Sequence, residues 1–440
     1  MKKCLIIIGA FLLALGPVRA QEGPWSLRQC IRHALENNIT VRTQGIEVDQ
    51  REIALETARS ARLPSLGASA SENFSFGRGL TEDNTYANTN TGSTSFSLGS
   101  EVPVFQGFQI RNTIRQNQLN LEAATAALEK ARDDIRVAVA GAYVQILYTG
   151  EIAQVAASQV TIDSLQVVRL EEMLRQGKAS VAEVAQQRAA LSQSRLALTQ
   201  AQANQALAVL ELTQLLELPS PEGFAVCRPD TSAFALSLLP SPEDVFAEAV
   251  GFRPAILSAL KRVDAAQAGI DLAKGAFLPS LSLSGGIGTN YYNTSGRINS
   301  SFLSQMKNNF SQYLGLSLSV PIFTRYNTRN NVRTAQLALK AEELQLENAR
   351  KSLYKEIQQA YCNASSAQSK LLSCTQAVES ARTAFELVSA KYENGKAGIT
   401  EFNESRNGYI KACSDLAQAR YENLYMCKLL EFYRGRELDF

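Results

Sequence analysis

The chain carries the same motif twice. Val102-Pro103-Val104-Phe105 recurs as Val320-Pro321-Ile322-Phe323, and Arg111, Asn112 and Arg115 recur as Arg329, Asn330 and Arg333. Gln118-Leu119 returns as Gln336-Leu337, Tyr143 as Tyr361, and Gly177-Lys178-Ala179 as Gly395-Lys396-Ala397. All share one offset of 218 residues, far longer than solenoid periods. Pro64-Ser65-Leu66 recurs three residues out of step as Pro279-Ser280-Leu281, as an insertion of three in the intervening loop would produce. The fold is therefore expected to hold two copies of one unit, residues 21–235 and 236–440. Each copy reads as helix, two strands, long helix, shorter helix.

The long helices are expected at 108–176 and 325–394. Ile114, Leu121, Leu128, Ile135 and Ala142 recur every seven residues, as do Val332, Leu339, Leu346, Leu353 and Ala360. Sevenfold spacing makes a narrow coiled-coil seam. No proline falls between Pro103 and Pro219, or after Pro321. At 1.5 Å per residue each helix would run roughly 105 Å, too long to wrap inside one globular core. Shorter helices are expected at 26–62, 180–216, 243–277 and 400–433, each roughly 54 Å long. Two end to end match one long helix, which points to a cylinder of uniform height. Between the copies, Pro219, Pro221, Pro229, Pro240 and Pro242 mark an extended connector. Its Phe224, Phe234 and Leu238 suggest packing against another element.

Hairpins are expected at 66–105 and 281–323, with strands of about 10 residues that alternate with period two. Leu66, Ala68, Ala70, Phe74 and Phe76 share one face, opposite Gly67, Ser69, Ser71, Asn73 and Ser75. Phe96, Leu98, Val102 and Val104 oppose Ser95, Ser97, Gly99 and Glu101. The second copy sets Leu281, Leu283, Ile287 and Tyr291 against Ser282, Ser284, Gly286 and Asn290. Its return strand sets Leu314, Leu316, Leu318, Val320 and Ile322 against Gly315, Ser317 and Ser319. Ser and Gly opposite a purely apolar face fit a lipid-facing wall around a water-filled lumen. A soluble two-hairpin sheet is the competing reading. The polar tips, 78–92 and 293–310, would be the extracellular loops. Four strands leave two open edges, and each unpaired backbone group in hydrocarbon costs several kcal/mol. Single-chain barrels begin at eight strands. Three copies would give twelve strands around a channel, and twelve helical columns. The expected fold is thus mainly α with a transmembrane β part: a trimer whose twelve-stranded barrel continues as an α-helical barrel.

Lys2 and Lys3, the apolar run Leu5 to Leu15, and Val18-Arg19-Ala20 read as a signal peptide over 1–20, too short to span a bilayer. Removing Lys2, Lys3 and Arg19 takes the net charge from +2 to −1, so no basic field for nucleic acid remains. One histidine in 440 residues speaks against His-based metal sites and triads. Cys30, Cys227, Cys362, Cys374, Cys413 and Cys427 remain after processing, show no C-x-x-C spacing, and read as free thiols rather than disulfides. Gly177-Lys178 and Gly395-Lys396 are not P-loops, because Glu172 and Ala390 replace the required upstream glycine. Gly285-Gly286-Ile287-Gly288 lies in a strand and opens no helix. Neither catalysis nor a cofactor is expected.

The repeat, the Pro-Ser-Leu strand start, the Val-Pro-Val/Ile-Phe strand end and the Gly-Lys turn resemble TolC-type outer-membrane efflux proteins over residues 26–433. The resemblance implies a passive trimeric duct in the outer membrane of a Gram-negative bacterium, extending into the periplasm. It also implies docking of the helical turns, Gly177, Lys178, Gly395 and Lys396, on a periplasmic adaptor that works with an inner-membrane pump. The cargo would be small molecules, or proteins in type I secretion. The family closes its periplasmic end with acidic residues six and nine positions after the second turn glycine. Here those positions are Glu401 and Glu404, where the family has Asp. The first-copy counterparts are Glu183 and Gln186. Helix-start readings compete: Ser180-Val-Ala-Glu183 is a capping box, and Glu401 falls in a first turn favoured by the macrodipole. Lys391, Lys396 and Arg406 could tie neighbouring helices together through exposed ion pairs. The alternative function is a structural or adaptor-like periplasmic coiled-coil protein, which would have no use for lipid-facing strands.

Overall fold

The computed structural model describes residues 23–80, 84–229, 238–295 and 298–439. The expected signal peptide, and Phe234 of the connector, lie outside them. Among the described residues the elements run α1 (Leu27–Asn37), α2 (Ile39–Ser60), β1 (Ser65–Leu80), β2 (Tyr86–Gln106), α3 (Gln109–Arg175), α4 (Val181–Leu215), α5 (Pro242–Ala249), α6 (Pro254–Gly275), β3 (Ser280–Thr294), α7 (Phe302–Asn308), β4 (Ser311–Ser319), α8 (Asn327–Glu393) and α9 (Ile399–Tyr433). α3 and α8 are each 67 residues long, or roughly 100 Å of helix. No helix among the described residues is apolar enough to cross a membrane.

Two compact units do not follow the repeats. One gathers the segments up to residue 43, 130–252 and from 352 onward; the other gathers 44–129 and 253–351. Each unit draws on both copies, and α3 and α8 contribute to both units.

The helix expected over 26–62 is two helices. Asn38 leaves the helical region (φ −59°, ψ 129°) and is buried. Its Oδ1 accepts from Thr40 N at 2.9 Å, and its Nδ2 donates to Leu215 O at 3.0 Å, satisfying orphan groups at the start of α2 and the end of α4. The helix expected over 243–277 is likewise split, into α5 and α6. Pro254 occupies the first turn of α6, where its missing N–H costs nothing.

The connector is pinned inside the first unit. Trp25 and Val226 form a parallel bridge, and Trp25 packs on Phe224 at 5.6 Å and on His33 at 5.3 Å. The Tyr143 hydroxyl sits within reach of two carbonyls, Cys227 O at 2.7 Å and Trp25 O at 3.1 Å. Burial pushes this phenol above the usual tyrosine range. Tyr143→Phe should keep the ring but strip those carbonyls of their donor, at about 1–3 kcal/mol. A lower melting temperature with faster proteolysis between 217 and 229 is the expected readout. Leu238, by contrast, is 99% exposed. The six cysteines are free thiols, and burial raises the Cys30 pKa to about 12.

In the second unit the four strands form one antiparallel sheet in chain order, β1-β2-β3-β4. The register joins Ala68, Leu98 and Ile287 in one row, and Leu283 with Leu316 in another. The opposite face joins Ser69, Ser97 and Gly288. Glu72 interrupts the apolar face, where its carboxylate accepts the Thr94 hydroxyl across the strands. β1 and β2 are 16 and 21 residues, well beyond the expected ten, because the ladder continues through polar pairs such as Arg78 with Asn88. β4 stops at Ser319, short of the expected 323, before Pro321, which has no N–H to give a ladder. Its counterpart Pro103 is absorbed by a register shift between Pro103 and Phe105.

Strand-to-helix junctions are alike in the two copies. Gly107-Phe108 and Arg325-Tyr326 are consecutive left-handed residues, with φ of 57°, 62°, 50° and 59°. Only the first junction is crowded: a Cβ on Gly107 would lie 2.3 Å from Gly275 O. Glycine is thus required there by contact, since Arg325 holds a similar backbone angle at the equivalent position of the second copy.

Candidate gate at the helical turns

Both turns belong to the first unit and share one geometry. Gly177 (φ 71°) donates to Leu174 O at 3.0 Å, and Lys178 N donates to Met173 O at 2.8 Å. Gly395 (φ 70°) donates to Tyr392 O at 3.0 Å, and Lys396 N to Lys391 O at 2.8 Å. This is the Schellman termination, which needs a left-handed residue after the last helical turn. The glycines are thus placed by backbone geometry, and the two lysines are held at the turn by their own N–H groups.

The restart differs. Ser180 and Glu183 form a reciprocal capping box: Ser180 N donates to Glu183 Oε2 at 2.7 Å, and Glu183 N donates to Ser180 Oγ at 3.2 Å. The Glu183 carboxylate is therefore engaged in starting α4. α9 starts at Gly398 with no side-chain cap, so Glu401 is the acid in its first turn without capping it. Glu401 and Glu404 are exposed, three residues apart on one face of α9, and Phe402, Asn403 and Arg406 are buried behind them.

Behind the acids the two turns interlock. Leu170 and Val184 from the first copy pack with Ile399 and Phe402 from the second. Tyr392 stacks on Phe402 at 4.8 Å and accepts from Gln166 Nε2 at 3.1 Å, and burial raises its pKa. Gln186 Nε2 reaches Thr400 Oγ1 at 3.3 Å, so this first-copy counterpart of Glu404 links the copies.

Beneath this knot lies a polar network that sequence reasoning missed. Asp163 on α3 is fully buried, and Gln159 Nε2 (2.8 Å), Gln187 Nε2 (3.1 Å) and the Ser194 hydroxyl converge on its carboxylate. Asn403 Nδ2 extends the network to Gln187 Oε1 at 3.2 Å. The centre is an ion pair between Asp163 and Arg406, whose side chains are 0% and 2% exposed. Arg406 does tie two helices, α9 and α3, by an ion pair, but the expectation that the pair is exposed is corrected: both side chains are buried. Burial lowers its pKa, and the Asp163 charge opposes that drop. Nη1 makes the ion-pair contact without a well-directed hydrogen bond, and Nε has no partner among the described residues. Lys391 and Lys396 are exposed.

A family model described as outer membrane efflux protein matches residues 30–217 and 246–425. The chain is 24% identical over 437 residues to outer membrane protein TolC of Vibrio cholerae, covering 98% of this chain and 94% of that protein. It is 22% identical over 427 residues to outer membrane efflux protein BepC of Brucella suis, covering 96% and 88%. The fold is similar to that of the Campylobacter jejuni CmeC outer membrane channel, with a TM-score of 0.77 at 20% identity over 94% of this chain and 87% of that one.

Proposed function

The chain belongs to the outer membrane efflux protein family, as an exit duct of efflux systems in the outer membrane, and from that premise we propose that three copies close one passive channel. In this reading, three four-stranded sheets join edge to edge as a twelve-stranded barrel, continued by the long helices as an α-helical barrel. The single observation that carries it is the open sheet. Among the described residues β1 and β4 each end the sheet without an outer strand partner, and unpaired N–H and C=O groups there cannot face hydrocarbon. Residues 21–235 and 236–440 are the two repeats of this duct. Its partners are outer-membrane lipid, a periplasmic adaptor at the turns around Gly177, Lys178, Gly395 and Lys396, and an inner-membrane pump that supplies the energy. In mild detergent the protein should run as a trimer from the outer-membrane fraction. A stable detergent-free monomer in the soluble periplasm would overturn the reading.

The periplasmic gate is assigned to Glu401 and Glu404, with Glu183 held back by its capping role. Three chains would bring three copies of each exposed acid around one axis. A ring of carboxylates in a narrow mouth favours cations. Replacing both with Ala should lower cation preference and weaken block by multivalent cations in planar bilayers, while leaving the trimer intact. Unchanged selectivity would reduce these acids to features of a helix start.

A further inference from the structure

β3 outruns β4. β4 pairs with Ser280 to Gly288, so beyond Gly288 the outer edge of β3 has no strand beside it among the described residues. Side-chain amides take the place of that strand. Asn309 Nδ2 donates to Asn290 O at 2.7 Å. Tyr292 N donates to Gln305 Oε1 at 2.9 Å, and Gln305 Nε2 donates to Tyr292 O at 2.9 Å. Thr294 N donates to Asn299 Oδ1 at 2.9 Å, and Asn299 Nδ2 donates to Thr294 O at 3.0 Å. Alternate residues of the edge are thus served by carboxamides from 299–309, the segment that contains α7.

The helix lies toward a definite face. Thr289 Oγ1 donates to Met306 O at 2.7 Å, and the Tyr291 ring meets Phe302 at 5.2 Å. Thr289 and Tyr291 share their face of β3 with Leu281, Leu283 and Ile287, the apolar face. Phe310, after α7, lines a groove of about 420 Å³ on that face with Phe96, Leu98 and Ile287. Yet α7 leaves Leu303 79% and Phe302 46% exposed, and Ile298 before it is fully exposed.

We propose that α7 is an interfacial helix lying outside the barrel wall, in the headgroup layer of the outer leaflet, with Ile298, Phe302 and Leu303 in lipid. Two observations choose lipid over a second copy of the chain. Phe302 packs on Tyr291 on the apolar face, which the barrel reading turns to the bilayer. The carboxamides also close the backbone edge that a neighbouring strand would need. A short amphipathic element of this kind gains from burying its apolar side at the headgroup boundary. The inference rests on the reading of the sheet as a barrel wall.

The test uses the whole protein reconstituted in phosphatidylcholine vesicles whose acyl chains carry bromine either near the headgroup or near the terminal methyl. The sequence has one tryptophan, Trp25, whose signal is subtracted with the unaltered protein. Leu303→Trp, with Ile298→Trp as a second reporter, should be quenched strongly by shallow bromine and weakly by deep bromine. Leu98→Trp reports the wall itself and should be quenched in the same vesicles. If Leu98→Trp is quenched while neither loop reporter is, the inference is overturned and the duct stands. Aqueous acrylamide then separates the cases: quenching means α7 stands in water, and protection means a second copy covers it. If none of the three is quenched by brominated lipid, the barrel-wall reading fails and the inference fails with it.

Discussion

Arg406→Ala should be among the most damaging single substitutions in the first unit, at about 3–5 kcal/mol, because it leaves the Asp163 carboxylate buried without its counter-charge. The network amplifies the loss. Gln159, Gln187 and Ser194 are all oriented as donors to Asp163, and none can neutralise it. Asp163→Ala should cost a similar amount by stranding the guanidinium. The double replacement Asp163→Ala with Arg406→Ala should cost less than the sum of the two single changes, because no unpaired charge stays buried, although Gln159, Gln187 and Ser194 lose their acceptor. Thermal or denaturant unfolding of the four proteins gives the coupling directly. Additive single and double effects would mean that the two charges are not a pair in solution.

The second large effect is expected in the sheet, whose two faces the proposed barrel turns to lipid and to the lumen. Leu98 pairs with Ala68 on one side and Ile287 on the other, in the middle of the apolar face. A cation there should cost about 2–4 kcal/mol at mid-bilayer depth. Leu98→Arg should therefore lower trimer yield and melting temperature in outer-membrane extracts. Ser97, one residue away, pairs with Ser69 and Gly288 on the small polar face. Ser97→Arg should assemble normally and reduce single-channel conductance to cations by narrowing and charging the lumen. Equal damage from both would mean that the two faces of the sheet are not distinguished by lipid and water.

Elements with a local code could be read from the chain. Schellman glycines, the Ser180–Glu183 box and sevenfold leucines each depend on residues within one or two turns. Helix breaks were readable in principle at Pro254, whose ring is tolerated at a helix start and not inside one. Asn38 gave no such warning, because the partner that makes it a double cap, Leu215 O, is 177 residues away. The Asp163 network escaped for the same reason, its partners lying on three helices. One signal was available. The stripe Ile135, Ala142 continues by sevens through Thr149, Ala156 and Asp163 to Leu170, and Asp163 and Leu170 are both fully buried or nearly so. A charge on a coiled-coil seam demands a partner, and the only missing information was which one. Glu72 in the apolar strand face was visible in the same way; its answer is the Thr94 hydroxyl. The carboxamide edge on β3 had no signature, since Asn and Gln in a loop read simply as polar.

The two compact units each take segments from both repeats, and β2 of the first copy is hydrogen-bonded along β3 of the second. The sequence repeat is therefore not a compact unit of the fold. Residues 21–235 alone would present a two-stranded hairpin with both edges open, and helices lacking the partners that bury them. A chain with a single repeat could satisfy the same edges only by recruiting other copies of itself, and would need twice as many subunits to close a ring of the same size. In the proposed trimer, joining two repeats in one chain would turn an interface between chains into an interior within one chain. It would also let the two halves differ at places such as Gly107 and Arg325, which an assembly of identical single repeats would have to keep the same.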